Sequence, residues 1–372
     1  MLAYQKALQV ITQTALSKPL GSEQVPLAEA VGRVCAENLY AALDIQPFDN
    51  SAMDGFAVRM DDLAKATDSA PVRLRKAGVM GAGKNPDGIV LQPGTCWHVM
   101  TGATLPVGTE AIIPVEYAMV EGNEIVFQET PEASQHIRYA GEDFKRGDCL
   151  LSIGERISPT HILPLATLGI AHITVFKKPR ILFIPTGTEI VDDLGTTLQH
   201  GEIYNSNKFY AKAFLTACGA DVFEYDTIRD DLNAFHSTLQ DISRHRYDMI
   251  VSSGAVSAGS FDFIKDGLVA SGADILYHKL KLKPGKPNLL AILPSGEIYF
   301  GLPGNPVATA VGLRFFVAAA LRVMQSQEPE VPIYARAINE FSKKSGLHMV
   351  LKGRFDYQED GSMTVNILDG QE

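Results

Sequence analysis

A chain of 372 residues carries 33 basic and 43 acidic side chains, giving a net charge of −10 and a pI near 5.4. That acidity argues against a nucleic-acid coat or an anionic-membrane binder. A composition 46% hydrophobic and 20% charged excludes wholesale disorder, and the length predicts two or three domains. The cysteines Cys35, Cys96, Cys149 and Cys218 lie far apart without a CxxC pair, the pattern of reduced thiols rather than of a secreted scaffold. The opening residues lack the basic, apolar, small-residue order of a signal peptide. The apolar run from Phe315 to Leu321, closed by Arg314 and Arg322, reads as too short to span a bilayer. A soluble, cytoplasmic protein with no nucleic-acid and no membrane partner is expected.

In chain order, Leu2, Ala3, Ala7, Leu8, Val10 and Ile11 form a helical stripe. A second helix is predicted from Pro26 to about Leu39. From Asp44 to Asp148 the segments turn short, β-rich and punctuated by Gly and Pro, which reads as an inserted β domain over 44–148. Helical spacing returns at Ser158-Pro159, so residues 1–43 and 149–177 form a discontinuous N-terminal domain. Over 178–327 strands and helices alternate. Strands are expected at Arg180, Asp221, Tyr247, Ala273, Asn288 and Glu297, and helices at Ser206, Leu232, Phe261 and Val307. Such alternation implies a mainly parallel sheet covered on both faces, a three-layer α/β domain. Residues 328–372 are β in texture again. They are few for a self-sufficient core, so a partial C-terminal β domain is expected. The fold class is multidomain α/β plus β.

Open α/β sheets bind ligands beyond the C-terminal ends of their strands. Three such ends are rich in small residues: Pro185-Thr186-Gly187-Thr188-Glu189, Ser252 to Ser260, and Gly301-Leu302-Pro303-Gly304-Asn305-Pro306. An ordinary βα turn explains any one of them equally well. Three together favour a phosphate-bearing ligand, held by backbone N–H groups and helix N-termini. Lys279, Lys281 and Lys283 would share one face of an extended strand, which by itself suits a lysine-protected edge. Pro284, Gly285 and Pro287 fix a bend that returns Lys286 toward them, which favours a multiply charged anion. Asp54, Glu142, Asp143, Glu189, Asp230, Asp231 and Asp262 sit at turns, where a lone Asp is usually a helix cap; if several converge on phosphate they would ligate magnesium. The stretch Gly78 to Lys84 has Walker A spacing, but Asn85 replaces the Ser/Thr, and a P-loop is rejected. No GxGxxG, GxSxG, HExxH or Cys/His zinc spacing is present.

Pro47-Phe48-Asp49-Asn50-Ser51-Ala52-Met53-Asp54-Gly55-Phe56-Ala57-Val58 resembles the signature of MoeA-type molybdopterin molybdenumtransferases, shared by the E domain of gephyrin. The similarity continues through Met100-Thr101-Gly102-Ala103, Arg138 to Asp143, Pro185 to Glu189, Gly201 to Asn207, Lys283 to Pro287 and Gly301 to Pro306, in family order over nearly the whole chain. The resemblance implies magnesium-dependent cleavage of adenylylated molybdopterin, insertion of molybdate at the dithiolene and release of AMP. It implies a homodimer of four-domain chains ending in a β-barrel. A molybdopterin adenylyltransferase, and molybdoenzyme apoproteins or their chaperones, are the partners it suggests. Asp54, Thr101, Asp143, Glu189, Asp230 and Asp262 become the catalytic set, with Asp54, Glu189, Asp230 and Asp262 as Mg²⁺ ligands. Ser253, Gly254, Ser257, Gly259, Pro303, Gly304, Asn305 and Pro306 would hold the pterin and its phosphates. Lys279, Lys283, Lys286, Pro287 and Arg354 would hold substrate or molybdate.

Two departures from the family pattern stand out. Ala255 occupies a position that is usually Gly, and Ser260 one that is usually acidic. The chain is also expected to stop short of a complete C-terminal domain. An adenylyltransferase, a receptor-tail scaffold and a non-catalytic cofactor-holding relative are rival readings. The Asp54 signature and the inserted β domain argue against the first. The absence of linker and partner domains argues against the second. Ala255 and Ser260 are what motivate the third.

Overall fold

The computed structural model describes residues 1–229, 231–242, 244–255, 263–342 and 346–368. Contacts divide the chain into two compact units. One comprises Asn38–Leu151 and Pro159–Ala171; the other comprises Met1–Glu37, Ser152–Ser158 and His172–Glu372. Helix α1 (Tyr4–Leu16) opens the chain and buries Ala7, Ile11 and Ala15, four residues apart along one face.

The first unit is built on a six-stranded sheet of β1 (Gly55–Val58), β2 (Val72–Met80), β3 (Thr95–Val99), β4 (Ala111–Pro114), β5 (Ala118–Glu121) and β6 (Glu124–Phe127), in the order β4-β1-β3-β2-β6-β5. Phe56, Val58, Leu74, Cys96, Ile113 and Phe127 fill its main core. Helix α2 (Pro159–Thr167) belongs to the same unit. After β2 the stretch with Walker A spacing makes only a turn, with the Lys84 N–H on the Gly81 carbonyl, and no helix follows. A P-loop needs a helix N-terminus there, so its rejection stands.

The second unit is a three-layer α/β arrangement. Its strands are β7 (Arg180–Pro185), β8 (Asp221–Glu224), β9 (Met249–Ser253), β10 (Asp274–His278), β11 (Leu289–Ile292) and β12 (Ile298–Leu302), ordered β8-β7-β9-β12-β11-β10. Its helices are α3 (Ser206–Ala217), α4 (Leu232–Ile242), α5 (Phe263–Ala270) and α6 (Pro306–Met324). Strand β7 is apolar and buried from Ile181 to Pro185 because both its faces are covered, with exposed Arg180 at its start. Ile181 and Phe183 pack with residues of α1, α3 and α6, while Leu182 and Ile184 pack with residues of α4 and α5. Helix α6 is long and apolar enough to cross a membrane, contrary to the expectation from its shorter apolar run, but most of it is buried in this core. Its middle, Leu313–Val317, is a π-helical turn.

The sheet is parallel through β8, β7, β9 and β12, but β11 runs antiparallel to both β12 and β10. The loop over 279–288 and the turn over 293–297 are too short for crossover connections, which forces the reversal. Beyond α6 a small sheet joins Arg336–Ala337, Met363–Ile367 and Gly353–Tyr357.

The helix expected from Pro26 to Leu39 does not form. Only the 3₁₀ turn Leu27–Glu29 does. Gly32 takes φ +84°, and its N–H donates to the Ile157 carbonyl, that of Cys35 to Glu155 and that of Ala36 to Thr174. Backbone pairing with distant extended chain, together with burial of Val34 and Cys35, overrides the helical spacing.

Gly55 begins β1 so tightly against β4 that a Cβ would lie 2.5 Å from the Ile113 carbonyl oxygen. Gly55→Ala should therefore part the two strands and cost about 1–3 kcal/mol, seen as a lower urea midpoint. An unchanged midpoint would show that the strands yield freely.

Candidate functional site

Strands β7, β9 and β12 end level, with Pro185 opposite Ser253 and Ser253 opposite Leu302. Their three loops therefore leave one edge of the sheet together. The Thr186 N–H and hydroxyl both donate to the Ser253 carbonyl, at 2.9 and 3.1 Å, and the Gly254 N–H donates to the Leu302 carbonyl at 3.0 Å. Gly254 has φ +101°, and a Cβ there would sit 2.4 Å from the Thr186 hydroxyl. Only glycine fits. The Cβ direction of Gly304 meets the Cα of Gly254 at 3.4 Å, so two of the loops touch.

Local chemistry holds these loops. Asn305 caps α6, its Oδ1 accepting the Ala308 N–H at 3.1 Å, and Pro306 takes the first helical position. The Thr309 hydroxyl donates to the Pro303 carbonyl, and Asn207 Nδ2 donates to the Gly304 carbonyl at 2.8 Å. Ser253 and Pro303 are buried, whereas Gly304, Asn305 and Pro306 are exposed to meet a ligand. Glu189 is exposed and folds back over Gly187, both carboxylate oxygens 3.0 Å from where a Gly187 Cβ would lie.

The lysine loop opens at the same edge, since His278 pairs with Leu289 and Leu289 with Gly301. It is not the extended strand that the lysine spacing suggests. Strand β10 stops at His278 and Lys279 takes φ +72°, so Lys279, Lys281 and Lys283 do not share a strand face. The expected return is present: the Leu280 N–H donates to the Lys286 carbonyl and the Lys279 N–H to the Asn288 carbonyl, both at 2.9 Å. Gly285 supplies a φ of +99° at the bend. Leu2 is paired into the loop, its N–H on the Lys279 carbonyl and its carbonyl taking the Lys281 N–H. Leu282–Lys283 pairs in parallel with His348–Met349. Lys281, Lys283 and Lys286 are exposed, and Lys279 and Pro287 are half-buried. Arg354 is exposed on the strand Gly353–Tyr357, opposite Asn366.

The other unit carries a second cluster. Asp54 lies between the short strand Asn50–Ser51 and β1, and Thr101 lies in the turn that follows β3. The Thr101 N–H and hydroxyl both donate to Asp54 Oδ1, at 2.6 and 2.8 Å. Those two bonds hold the Asp54 carboxyl below its ordinary pKa, against slight desolvation, with His98 helping. Gly102 at φ +76° closes the turn, and its N–H donates to the Ser51 carbonyl. Nearly buried Asn50 ties its amide to Gln46 and to the Phe48 carbonyl. Asp143 is exposed in the loop around Gly141.

Asp230, Ser257, Gly259 and Asp262, with the departure at Ser260, lie outside the described residues. Asp54 and Glu189 belong to different units. Among the described residues no group of three or more His, Cys, Asp or Glu could hold a metal ion.

Sequence reasoning missed a buttress beneath the loops. Asn205 caps α3 through Lys208 N–H and also donates to Asp192 Oδ1 at 2.7 Å. The Thr227 hydroxyl and the Lys208 ammonium bind the same carboxylate. Burial pushes Asp192 up, but the bonds from Asn205 and Thr227 and the charge of Lys208 outweigh it and leave its pKa lowered. Nothing in the sequence marks Asp192. Asn207 sits in a motif block yet had been assigned no task.

Residues 2–169 match the MoeA N-terminal region (domain I and II), and residues 182–323 match a probable molybdopterin binding domain. A molybdopterin molybdenumtransferase of Synechococcus elongatus is 34% identical over 95% of this chain and 88% of its own length. One from Haemophilus influenzae is 34% identical over 91% of this chain and 81% of its own. The crystal structure of a molybdopterin biosynthesis MoeA protein from Pyrococcus horikoshii superposes with a TM-score of 0.83 at 27% identity, covering 100% of this chain and 91% of that one.

Two outcomes follow from the geometry. Thr101→Val removes the hydroxyl donor, so the Asp54 pKa should rise toward that of an ordinary carboxylate. Because the native value is depressed, the Thr101 contribution to stability is present above the unfolded pKa and fades as pH falls through the folded one. Carboxyl-carbon NMR titration of Asp54 checks this, and an unmoved midpoint would remove the Thr101 hydroxyl as a cause and leave its backbone N–H. Ala255 has φ +47°, a left-handed conformation that costs an L-residue roughly 1–2 kcal/mol. Ala255→Gly should raise stability by up to about 1 kcal/mol, less glycine's own entropic cost, in thermal unfolding.

Proposed function

Because the chain belongs to the MoeA family of molybdopterin molybdenumtransferases, transferases that insert molybdenum during molybdenum-cofactor synthesis, we propose that its substrate is adenylylated molybdopterin, that molybdate enters at the dithiolene and that AMP is released. The observation that supports this substrate most is the meeting of three small-residue loops and a four-lysine loop at one sheet edge. A diphosphate and an oxyanion both carry charge that an acidic protein would otherwise repel. Lys279, Lys281, Lys283 and Lys286 offset it. Exposed Gly304 and Asn305 let the phosphate approach the Val307 N–H at the start of α6, where Pro306 has none and Ala308 bonds the Asn305 cap.

Cleavage transfers no group to the protein. A water or molybdate oxygen attacks the phosphorus on the molybdopterin side, the anhydride P–O bond breaks, AMP leaves with its electron pair, and an attacking water gives up its proton. With Oδ1 occupied by Thr101, Asp54 is ionised and keeps Oδ2 for a cation or to accept that proton. A magnesium requirement belongs to the same proposal and rests on the family resemblance; the ion would polarise the phosphoryl oxygens. A cytoplasmic homodimer, receiving substrate from an adenylyltransferase and passing cofactor to apoenzymes or their chaperones, completes it.

AMP release from adenylylated molybdopterin should depend on both molybdate and Mg²⁺. Asp54→Ala should abolish it with the circular-dichroism spectrum intact. Lys286→Ala should raise the molybdate needed for half-maximal release more than it weakens pterin binding. Tight substrate binding without AMP release in the wild type would sink the enzymatic proposal, and equal effects of Lys286→Ala on both ligands would sink the oxyanion assignment.

A further inference from the structure

The Asn205 turn and the Gly301–Pro306 loop lie at the starts of α3 and α6. The far ends of those helices line a different cavity, of about 290 Å³, within the α/β unit. Helix α3 alone separates the two regions by about 18 Å, at 1.5 Å per residue. Three guanidinium groups line the cavity, Arg156, Arg314 and Arg322, against one carboxylate, Glu330. None of these residues belongs to a family motif singled out in the sequence. In a protein of net charge −10 such a cluster is an anomaly.

A structural duty accounts for part of each arginine. Arg156 donates to the Gly32 carbonyl at 2.7 Å and to the Cys218 carbonyl at 3.2 Å. Arg322 places Nε and one Nη on a single acceptor, the Glu328 carbonyl. Arg314 forms a two-pronged pair with Glu330. A guanidinium has five N–H donors, so each keeps donors beyond these bonds. The Cys218 thiol lies among them: burial pushes its pKa up, and the charges of Arg156, Arg314 and Arg322 pull against that rise. Arg314 springs from the π-helical turn of α6, a kind of irregularity frequent at functional sites.

We propose that this cavity is a second anion site, distinct from the substrate edge, which takes the phosphate group of a small molecule between Arg156, Arg314 and Arg322. Glu330 occupies Arg314 in the free protein and acts as an internal competitor for the incoming anion. The Arg314–Glu330 pair is about half exposed, so its loss costs the fold little.

That competition supplies the test. Arg314→Gln and Glu330→Gln break the same ion pair, yet they should move anion affinity in opposite directions. Equilibrium dialysis of the full chain against radiolabelled inorganic phosphate, and separately against a nucleoside monophosphate, measures it. Lys286→Ala serves as the background, to weaken binding at the substrate edge. Arg314→Gln should weaken phosphate binding about tenfold or more, the scale of one charge-assisted bond. Glu330→Gln should strengthen it. Tighter binding of the nucleotide than of phosphate would identify an organic phosphate as the occupant, and equal binding a free phosphate. Molybdate-dependent AMP release should persist in both variants on the unmodified Lys286 chain, which separates this site from the proposed reaction. Absence of phosphate binding in the background chain, or a shift of the same sign in both variants, would overturn the proposal.

Discussion

The level ending of β7, β9 and β12 is the constraint on which the candidate site rests. Hydrogen bonds between Thr186 and Ser253, and between Gly254 and Leu302, carry the register one residue past the strands and into the loops. Slipping any strand by one residue would exchange its side chains between the two packed cores and shift its loop along the edge. Core packing and ligand geometry are thus set by the same pairing. Gly254 and Gly304 allow the loops to touch, and the Asp192, Asn205 and Asn207 contacts fix α3 beneath them.

The two units use different means to present charge. In the β unit one carboxylate is held ionised by two donors from a single threonine, in a turn that Gly102 makes possible. In the α/β unit cations crowd a loop whose backbone pairs with Leu2 and turns back on itself. The first arrangement makes a fixed negative point, and the second a diffuse positive field.

Much of the α/β unit was legible in the sequence, because fully apolar strands and small-residue turns alternate there with helices. The helix caps at Asn205 and Asn305 emerge only from the structure, although each precedes a helical run. The reversal of β11 was less visible: it depends on loop lengths, which apolar periodicity does not weigh. The lost helix over 26–39 shows the reverse case, with correct local spacing overridden by partners more than a hundred residues away, as in the bond from Gly32 to Ile157. The proximity of Asp54 and Thr101 was legible because separate motif blocks carry them, and the structure joins the two by hydrogen bonds. Asp192 was invisible because its role comes from three neighbours that only the fold assembles.

Leu2 is clasped on both sides by the loop of Lys279 and Lys281, from which most of the chain separates it. The segment around Leu2 finds this partner only once that distant loop is in place. Closing so long a loop is entropically costly, and contacts of this span slow folding. The cationic loop is therefore a seam between two segments far apart along the chain. A change of backbone at Leu2 would be felt across that span, in how the loop holds its lysines.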